Sequence, residues 1–244
     1  MAVSNIGSAN AYMARSFAAA QKDLSTALAR LGSQSRFQTA GDDITSFLRA
    51  SALNSARSGY EMSRDSAKAV QGTIDAIDNW ASEMITQLNN LKANLGTDQE
   101  DNIRSAVIAA SKATLGGTAL NIAATTTWAT LRLADGSTKA VKATAAAAII
   151  NTAALTNATE INTAISNLRG YIEDVVAYRG MAEATESFAS AMVENTRAAE
   201  STLKAIDEAA EMAKYTEADI KQQAAVAMMA QGNISRRTII GLFS

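Results

Sequence analysis

The sequence predicts a mainly α-helical protein, made of long antiparallel coiled-coil helices with one small β-hairpin. The 244 residues contain no proline, a residue that costs about 3 kcal/mol inside a helix. Alanine supplies about 53 of them and aromatic residues only 5%, which favours closely packed helices over a thick core. Apolar side chains also recur at alternating steps of three and four residues, which is the heptad pattern of a coiled coil.

The first predicted helix follows a heptad seam over about four heptads. The pattern breaks between Gly32 and Asp43, a polar segment that we interpret as a connector between helices. Asp42 and Asp43 end this connector, and we interpret them as helix-capping residues because adjacent carboxylates diverge at a helix start. The apolar or small seam positions are Val3, Ile6, Asn10, Met13, Phe17, Ala20, Leu24, Ala27 and Leu31.

A second seam runs from Tyr60 to Leu95 and predicts the longest helix of the chain. A shorter helix is predicted to begin at 97–98 and to stop at Gly116 and Gly117.

The β-hairpin is predicted at residues 125–142, where β-branched residues flank Asp135 and Gly136. An Asp-Gly pair favours a type I′ turn, because that turn needs positive φ at both central residues. The Ala/Thr-rich segment 143–157 gives no clear prediction.

A third seam begins at Ile161 and continues, less regularly, to Ala213. The last segment, 220–243, is amphipathic. Each terminal segment has too little apolar bulk to be stable alone, so we expect it to finish folding against other copies of the chain. The apolar positions of the last segment are Ile220, Val226, Met229, Ile234, Ile240 and Leu242.

Composition excludes several classes of chemistry. The chain has no Cys and no His, so it has no thiol nucleophile, Ser-His-Asp triad, zinc-protease motif or disulfide. We therefore expect no enzymatic activity, catalytic residue, metal or cofactor. The net charge of -2 gives no reason to expect nucleic acid as a partner. No apolar run is long enough to insert into a membrane, and the first residues do not read as a cleaved signal peptide.

The connector and the C-terminal segment resemble those of bacterial flagellins, here in a short form without the large outer domains. The connector differs from the family pattern at Gln34 and Ser46, where the family has glycine, and the site of the usual C-terminal proline is Arg236. The resemblance covers roughly the first 115 and last 85 residues. The connector matches are Leu31, Ser33, Arg36, Phe37, Ala40, Asp42 and Asp43. The C-terminal matches are Glu194, Asn195, Ala199, Ser201, Asp207, Glu211, Met212, Ile220, Gln222, Gln223, Ala224, Ala230, Gln231, Asn233, Leu242, Phe243 and Ser244.

The resemblance implies a structural subunit of the bacterial flagellar filament, which self-assembles into a helical tubular polymer for swimming. Residues 1–35 and 205–244 would form the inner coiled-coil layer, and residues 36–204 the outer helical layer with the hairpin. The implied location is extracellular, reached through the flagellar type III apparatus. The implied partners are other copies of the chain, hook-associated and cap proteins, and an export chaperone.

The terminal seam side chains are the residues that we expect to drive assembly, while Arg36, Asp42 and Asp43 fix the connector. Two alternatives remain: a hook–filament junction protein and a secreted coiled-coil protein that binds its partner as a monomer. The expected self-assembly residues are Val3, Ile6, Met13, Phe17, Leu24, Leu31, Ile220, Val226, Met229, Ile234, Ile240 and Leu242.

Overall fold

A computed structural model describes residues 2–121, 127–142 and 149–242. Five α-helices and two short antiparallel strand pairs account for most of these residues, which confirms the mainly α fold class. Contacts divide the chain into a terminal unit, residues 1–53 with 198–244, and a central unit, residues 54–197. The elements are α1 (Ala2–Ser33), α2 (Ile44–Ala93), α3 (Glu100–Ser111), β1 (Thr114–Leu115), β2 (Thr118–Ala119), β3 (Ala129–Arg132), β4 (Thr138–Val141), a 3-10 turn (Thr152–Ala154), α4 (Ala158–Lys204) and α5 (Glu208–Leu242).

In the terminal unit, α1 and α5 pack side by side and run antiparallel. The Arg30 guanidinium donates to the Glu211 carboxylate at 3.0 Å, and the Gln34 amide donates to Glu208 at 3.4 Å. Later residues of α1 therefore meet earlier residues of α5. The buried positions Ala20 and Ala27 lie between half-buried Phe17, Leu24 and Leu31, so the predicted seam of α1 faces its partner helix.

In the central unit, the parts of α2 and α4 that belong to it also run antiparallel. Their register is marked by three polar contacts: Lys92 with Asn162 at 2.8 Å, Arg179 with Asp75 at 2.6 Å, and Gln71 with Glu186 at 2.8 Å. Between these contacts lies the main apolar core, to which α3 and the β3–β4 hairpin also contribute. The largest fully buried side chains are Ile74, Ile77, Met84, Leu88, Leu91, Leu131, Ile149, Ile150, Leu155, Ile161, Leu168 and Val70.

The structure corrects the prediction that the third helix stops at Gly116 and Gly117. Helix α3 ends at Ser111, and the two glycines form the turn between β1 and β2 instead. Their φ angles of 58° and 83° are both positive, as a type I′ hairpin turn requires and as glycine permits without strain. The described residues therefore contain two small hairpins, where the sequence predicted one.

The predicted hairpin is present, with β3 and β4 paired from Ala129 with Val141 to Arg132 with Thr138. Its turn differs from the predicted type I′ turn. Among the residues of this turn, only Gly136 has a positive φ, 85°, and its N–H donates to the Leu133 carbonyl at 3.0 Å. This arrangement matches the three-residue loop in which glycine ends a type I turn. The predicted residues 125 and 126 lie outside the described residues.

Serine side chains of α2 attach the hairpin to the helices. The Ser63 hydroxyl donates to the Leu133 carbonyl at 2.9 Å, and Ser66 donates to the Thr130 carbonyl at 3.0 Å. The side chains of Leu131 in β3 and Val141 in β4 are fully buried. Trp128, directly before β3, packs edge-on against Tyr171, with ring centroids 5.5 Å apart.

The third seam is carried by α4, but the helix does not continue to Ala213 as predicted. It ends at Lys204, and α5 begins at Glu208. The Asp207 carboxylate accepts from the Ala210 N–H at 3.1 Å, so the new helix starts at an aspartate cap.

Candidate functional site

The connector between α1 and α2 is held by the two aspartates that the sequence singled out. The Asp42 carboxylate accepts from the Gln38 N–H at 3.0 Å and from the Thr39 N–H at 2.9 Å. The Asp43 carboxylate accepts from the Ser46 N–H at 3.0 Å, which is the contact of a helix N-cap. The predicted capping role is therefore confirmed for Asp43, whereas Asp42 folds the loop before it.

Hydrogen bonds lower the pKa of both aspartates. The Thr39 and Gln38 backbone N–H groups lower the pKa of Asp42 below its ordinary value. Contacts from the Ser46 hydroxyl and N–H lower the pKa of Asp43. Donors that point at a carboxylate stabilise its charged form, so both side chains act as anionic acceptors at neutral pH.

Arg36 ties the connector to the start of α2 and to the end of α4. Its guanidinium donates to the Ser46 hydroxyl at 2.7 Å and lies 3.4 Å from the Asp43 carboxylate. Its backbone N–H donates to the Lys204 carbonyl at 2.9 Å. The Ser46 hydroxyl and N–H therefore bond to two of the predicted connector residues, Arg36 and Asp43.

The connector borders a cleft of about 440 Å³ within the terminal unit. The sequence selected Arg36, Asp42 and Asp43 as connector residues and Glu211 only as a flagellin match. It gave no sign of the contact between Arg30 and Glu211, which are 181 residues apart in the chain. The distance in sequence explains the miss, because no local pattern links two such positions. The lining residues are Arg30, Arg36, Asp42, Asp43, Ala205, Ile206, Asp207, Ala210, Glu211 and Lys214.

Glu211 is the one charged residue that is buried within the part of the chain that the structure describes. Its carboxylate accepts from Lys214 at 2.7 Å as well as from Arg30 at 3.0 Å. The hydrogen bond from Lys214, followed by that from Arg30, lowers the pKa of Glu211. It is therefore an anion held between two cations.

Among the described residues, no group of three or more acidic side chains lies close enough together to hold a metal ion. No helix in the described ranges is both long and apolar enough to cross a bilayer.

The predicted assembly residues occupy two different environments. Met13, Phe17, Leu24 and Leu31 are half-buried on the face of α1 that meets α5. In α5 only Met229 lies on the corresponding face, whereas the other predicted side chains that the structure describes are exposed: Ile220 (61%), Val226 (50%) and Ile234 (64%). The side chains of Val3, Ile6, Ile240 and Leu242 lie outside those described. Their role in assembly stays a prediction.

Two of these exposed residues, Ile220 and Ile234, belong to a second apolar stripe, which does not include Val226. Ile220, Ala224, Ala227 and Ile234 are exposed and follow a spacing of three, four or seven residues, so they share one side of α5. The residues facing α1 lie on the opposite side. Helix α5 therefore presents one apolar face within its own chain and another outward.

Comparisons with known proteins add an independent observation. Residues 155–243 match the model of the bacterial flagellin C-terminal helical region. This part of the chain is therefore similar to a flagellin. It begins at Leu155, just before α4, and covers the whole of α4 and α5.

Two relatives agree with this flagellin assignment. The chain is 38% identical over 69 residues to a flagellar filament 31.3 kDa core protein of Treponema maltophilum, across 28% of this chain and 24% of that protein. It is 35% identical over 92 residues to a putative flagellin, YvzB, of Bacillus subtilis strain 168, across 38% of this chain and 58% of that protein. The matched part of the chain thus spans about a quarter of the length of the first relative and somewhat over half of the second.

A capping variant tests the connector. We expect Asp43→Ala to lower the thermal midpoint of the terminal unit, because the Ser46 N–H loses its acceptor. Asp43→Asn retains an oxygen acceptor without the charge, so it should lose much less. Circular dichroism melts of both variants against the unaltered chain provide the measurement. Equal losses for Ala and Asn would show that the ion pair with Arg36, rather than the cap, holds the connector.

Proposed function

We propose that the chain is the structural subunit of a bacterial flagellar filament and that it has no enzymatic activity. The observation that carries the proposal is the flagellin C-terminal region, which spans α4 and α5, one of which pairs antiparallel with α1. The flagellar filament core protein of Treponema maltophilum supports the same function by similarity. Such a subunit would act outside the cell as a propeller component.

The exposed stripe of α5 supports polymerisation. Two of its members, Ile220 and Ile234, are more than 60% exposed in the single chain. Exposed apolar side chains aligned on one helix face mark a protein–protein contact. In a homopolymer this stripe would pack against other copies, and the connector residues Arg36, Asp42 and Asp43 would hold the terminal helices in place.

Other partners follow from this function and belong to the same proposal. Hook-associated and cap proteins would meet the ends of the polymer, and an export chaperone would bind the chain before assembly.

Polymerisation is tested on the purified chain, either by seeding it with sonicated polymer or by salting it out. The product is measured by pelleting and by negative-stain microscopy. We expect micrometre-long filaments. Ile220→Asp should abolish the pelleted fraction because it places a charge on the stripe, and Ile220→Leu should assemble normally because it retains the apolar area. A chain that stays monomeric under all these conditions would contradict the proposal and favour the junction protein or a monomeric coiled-coil protein.

A further inference from the structure

The seam between α1 and α5 repeats itself every seven residues. On α1 the small buried residues are Ala20 and Ala27, and on α5 they are Ala218 and Ala225. Each pair is one heptad apart, and larger side chains stand between its members. The seam of α1 is Met13, Phe17, Ala20, Leu24, Ala27 and Leu31, and that of α5 is Glu211, Tyr215, Ala218, Gln222, Ala225 and Met229.

The hydrogen-bonded pairs near the connector fix how these seams meet. The Arg30–Glu211 contact marks one point at which the two seams meet. Counting along both seams from that point places Leu24 opposite Ala218 and Phe17 opposite Ala225. Large side chains thus oppose small ones, which is the arrangement that lets helices pack closely.

Shape alone does not select this register. If α5 slides by one heptad, about 10.5 Å at 1.5 Å per residue, Leu24 meets Ala225 or Phe17 meets Ala218, and large side chains again oppose small ones. A heptad repeat of alanines therefore permits neighbouring registers with similar packing.

Glu211 breaks this repetition. In the observed register its carboxylate is buried and bonded to Arg30 at 3.0 Å. A slide in one direction moves Glu211 opposite Leu24 and beside Asp23, which has the same charge. A slide in the other direction carries it beyond Ser33, where α1 ends. Either slide removes Arg30 from the Glu211 carboxylate and leaves Lys214, which lies on the same helix, as its one remaining ion-pair partner. Loss of one of two cations from a buried carboxylate destabilises the slipped register.

We propose that the Arg30–Glu211 pair fixes the register of α1 against α5. It acts as a positioning pair, like a single polar residue that sets register in a coiled coil. This inference depends on contacts within one chain. Its consequence depends on the proposed function: a slipped pair would displace the exposed stripe of α5 and make the subunit unfit for a regular polymer.

Engineered cysteines can report the register, because the chain contains no cysteine. Ala20→Cys with Gln222→Cys reports the observed register. Ala20→Cys with Met229→Cys and Ala20→Cys with Tyr215→Cys report the two slipped registers. A disulfide requires Cα atoms within about 7 Å, so each reporter pair closes in one register. Oxidation is followed by non-reducing electrophoresis, both on soluble chain and on pelleted polymer.

In the otherwise unaltered chain we expect cross-linking of the 20–222 reporter alone. Replacing the pair by apolar residues, Arg30→Met with Glu211→Leu, should preserve helix content, because apolar replacement of both partners leaves no unpaired buried charge. The slipped reporters should then cross-link at least about tenfold more than before, the change that a loss of 1.4 kcal/mol in register preference produces. The charge-swapped variant, Arg30→Glu with Glu211→Arg, combined with Lys214→Glu so that an opposite charge still lies beside position 211, should restore a single register.

Several outcomes would overturn the inference. One is an apolar double variant that still cross-links only at 20–222. Others are a charge swap that remains slipped, or an unaltered chain that fails to cross-link at 20–222 in both fractions. Pelleting is scored separately, so a chain that holds one register yet never polymerises would count against the filament function and leave the register inference intact.

Discussion

Removal of residues 1–30 and 220–244 should abolish polymerisation completely. The deletion takes away almost all of α1 and the part of α5 that carries Ile220 and Ile234, and it leaves the rest of α5 without its partner helix. The main apolar core lies within residues 54–197, so the truncated chain should retain a folded central unit. Pelleting after seeding and salting-out measures the loss, and circular dichroism measures the helix content that remains.

Single-end deletions provide the control for this experiment. Removal of residues 1–30 alone or 220–244 alone breaks the same helix pair from either side, so each should abolish the pelleted fraction as the double deletion does. Filaments formed by the double deletion would refute a polymer driven by the terminal helices and would assign assembly to the central unit.

The largest loss of stability is expected from Leu168→Ala in the central unit. Leu168 is fully buried in the core that α2 and α4 form. Truncation of a buried leucine leaves a cavity and lowers the free energy of unfolding by about 2–5 kcal/mol. Met181→Ala on the same helix is the matched control, because Met181 is 39% exposed and partly exposed truncations cost far less.

Urea unfolding followed by circular dichroism compares the two variants. Leu168→Ala should shift the midpoint to clearly lower urea, with little change in the slope, and Met181→Ala should remain near the unaltered chain. Equal losses would mean that the α2–α4 core does not determine the stability of this unit.

The helices were predictable from sequence because their signal is local. The apolar spacing of three and four residues that predicts α1 depends only on residues close in sequence. In the structure the same positions, including Ala20 and Ala27, form the buried face of α1. The cap at Asp43 was equally local, since its acceptor and donor are three residues apart. The C-terminal resemblance to flagellins also depends on one contiguous stretch of sequence, and the family match begins at Leu155.

What sequence reasoning missed depends on contacts between distant residues or on competition between turns. The partner of Arg30 lies 181 residues away. The face of α5 that meets α1 includes Glu211 and Ala218, whereas Ile220 and Ile234, which the sequence selected, are exposed. Gly116 and Gly117 are compatible with two structures, because both a helix end and a tight hairpin turn favour glycine at positions of positive φ. Only the pairing of Leu115 with Thr118 distinguishes them.

The aromatic cluster of the central unit has a spectroscopic consequence. Both tryptophans of the chain, Trp80 and Trp128, pack edge-on against Tyr171, at 6.2 Å and 5.5 Å. Excitation at the red edge of indole absorption therefore reports the central unit alone, because α1 and α5 contain no tryptophan. The native protein therefore carries its own fluorophores for following the central unit in the polymerisation assay.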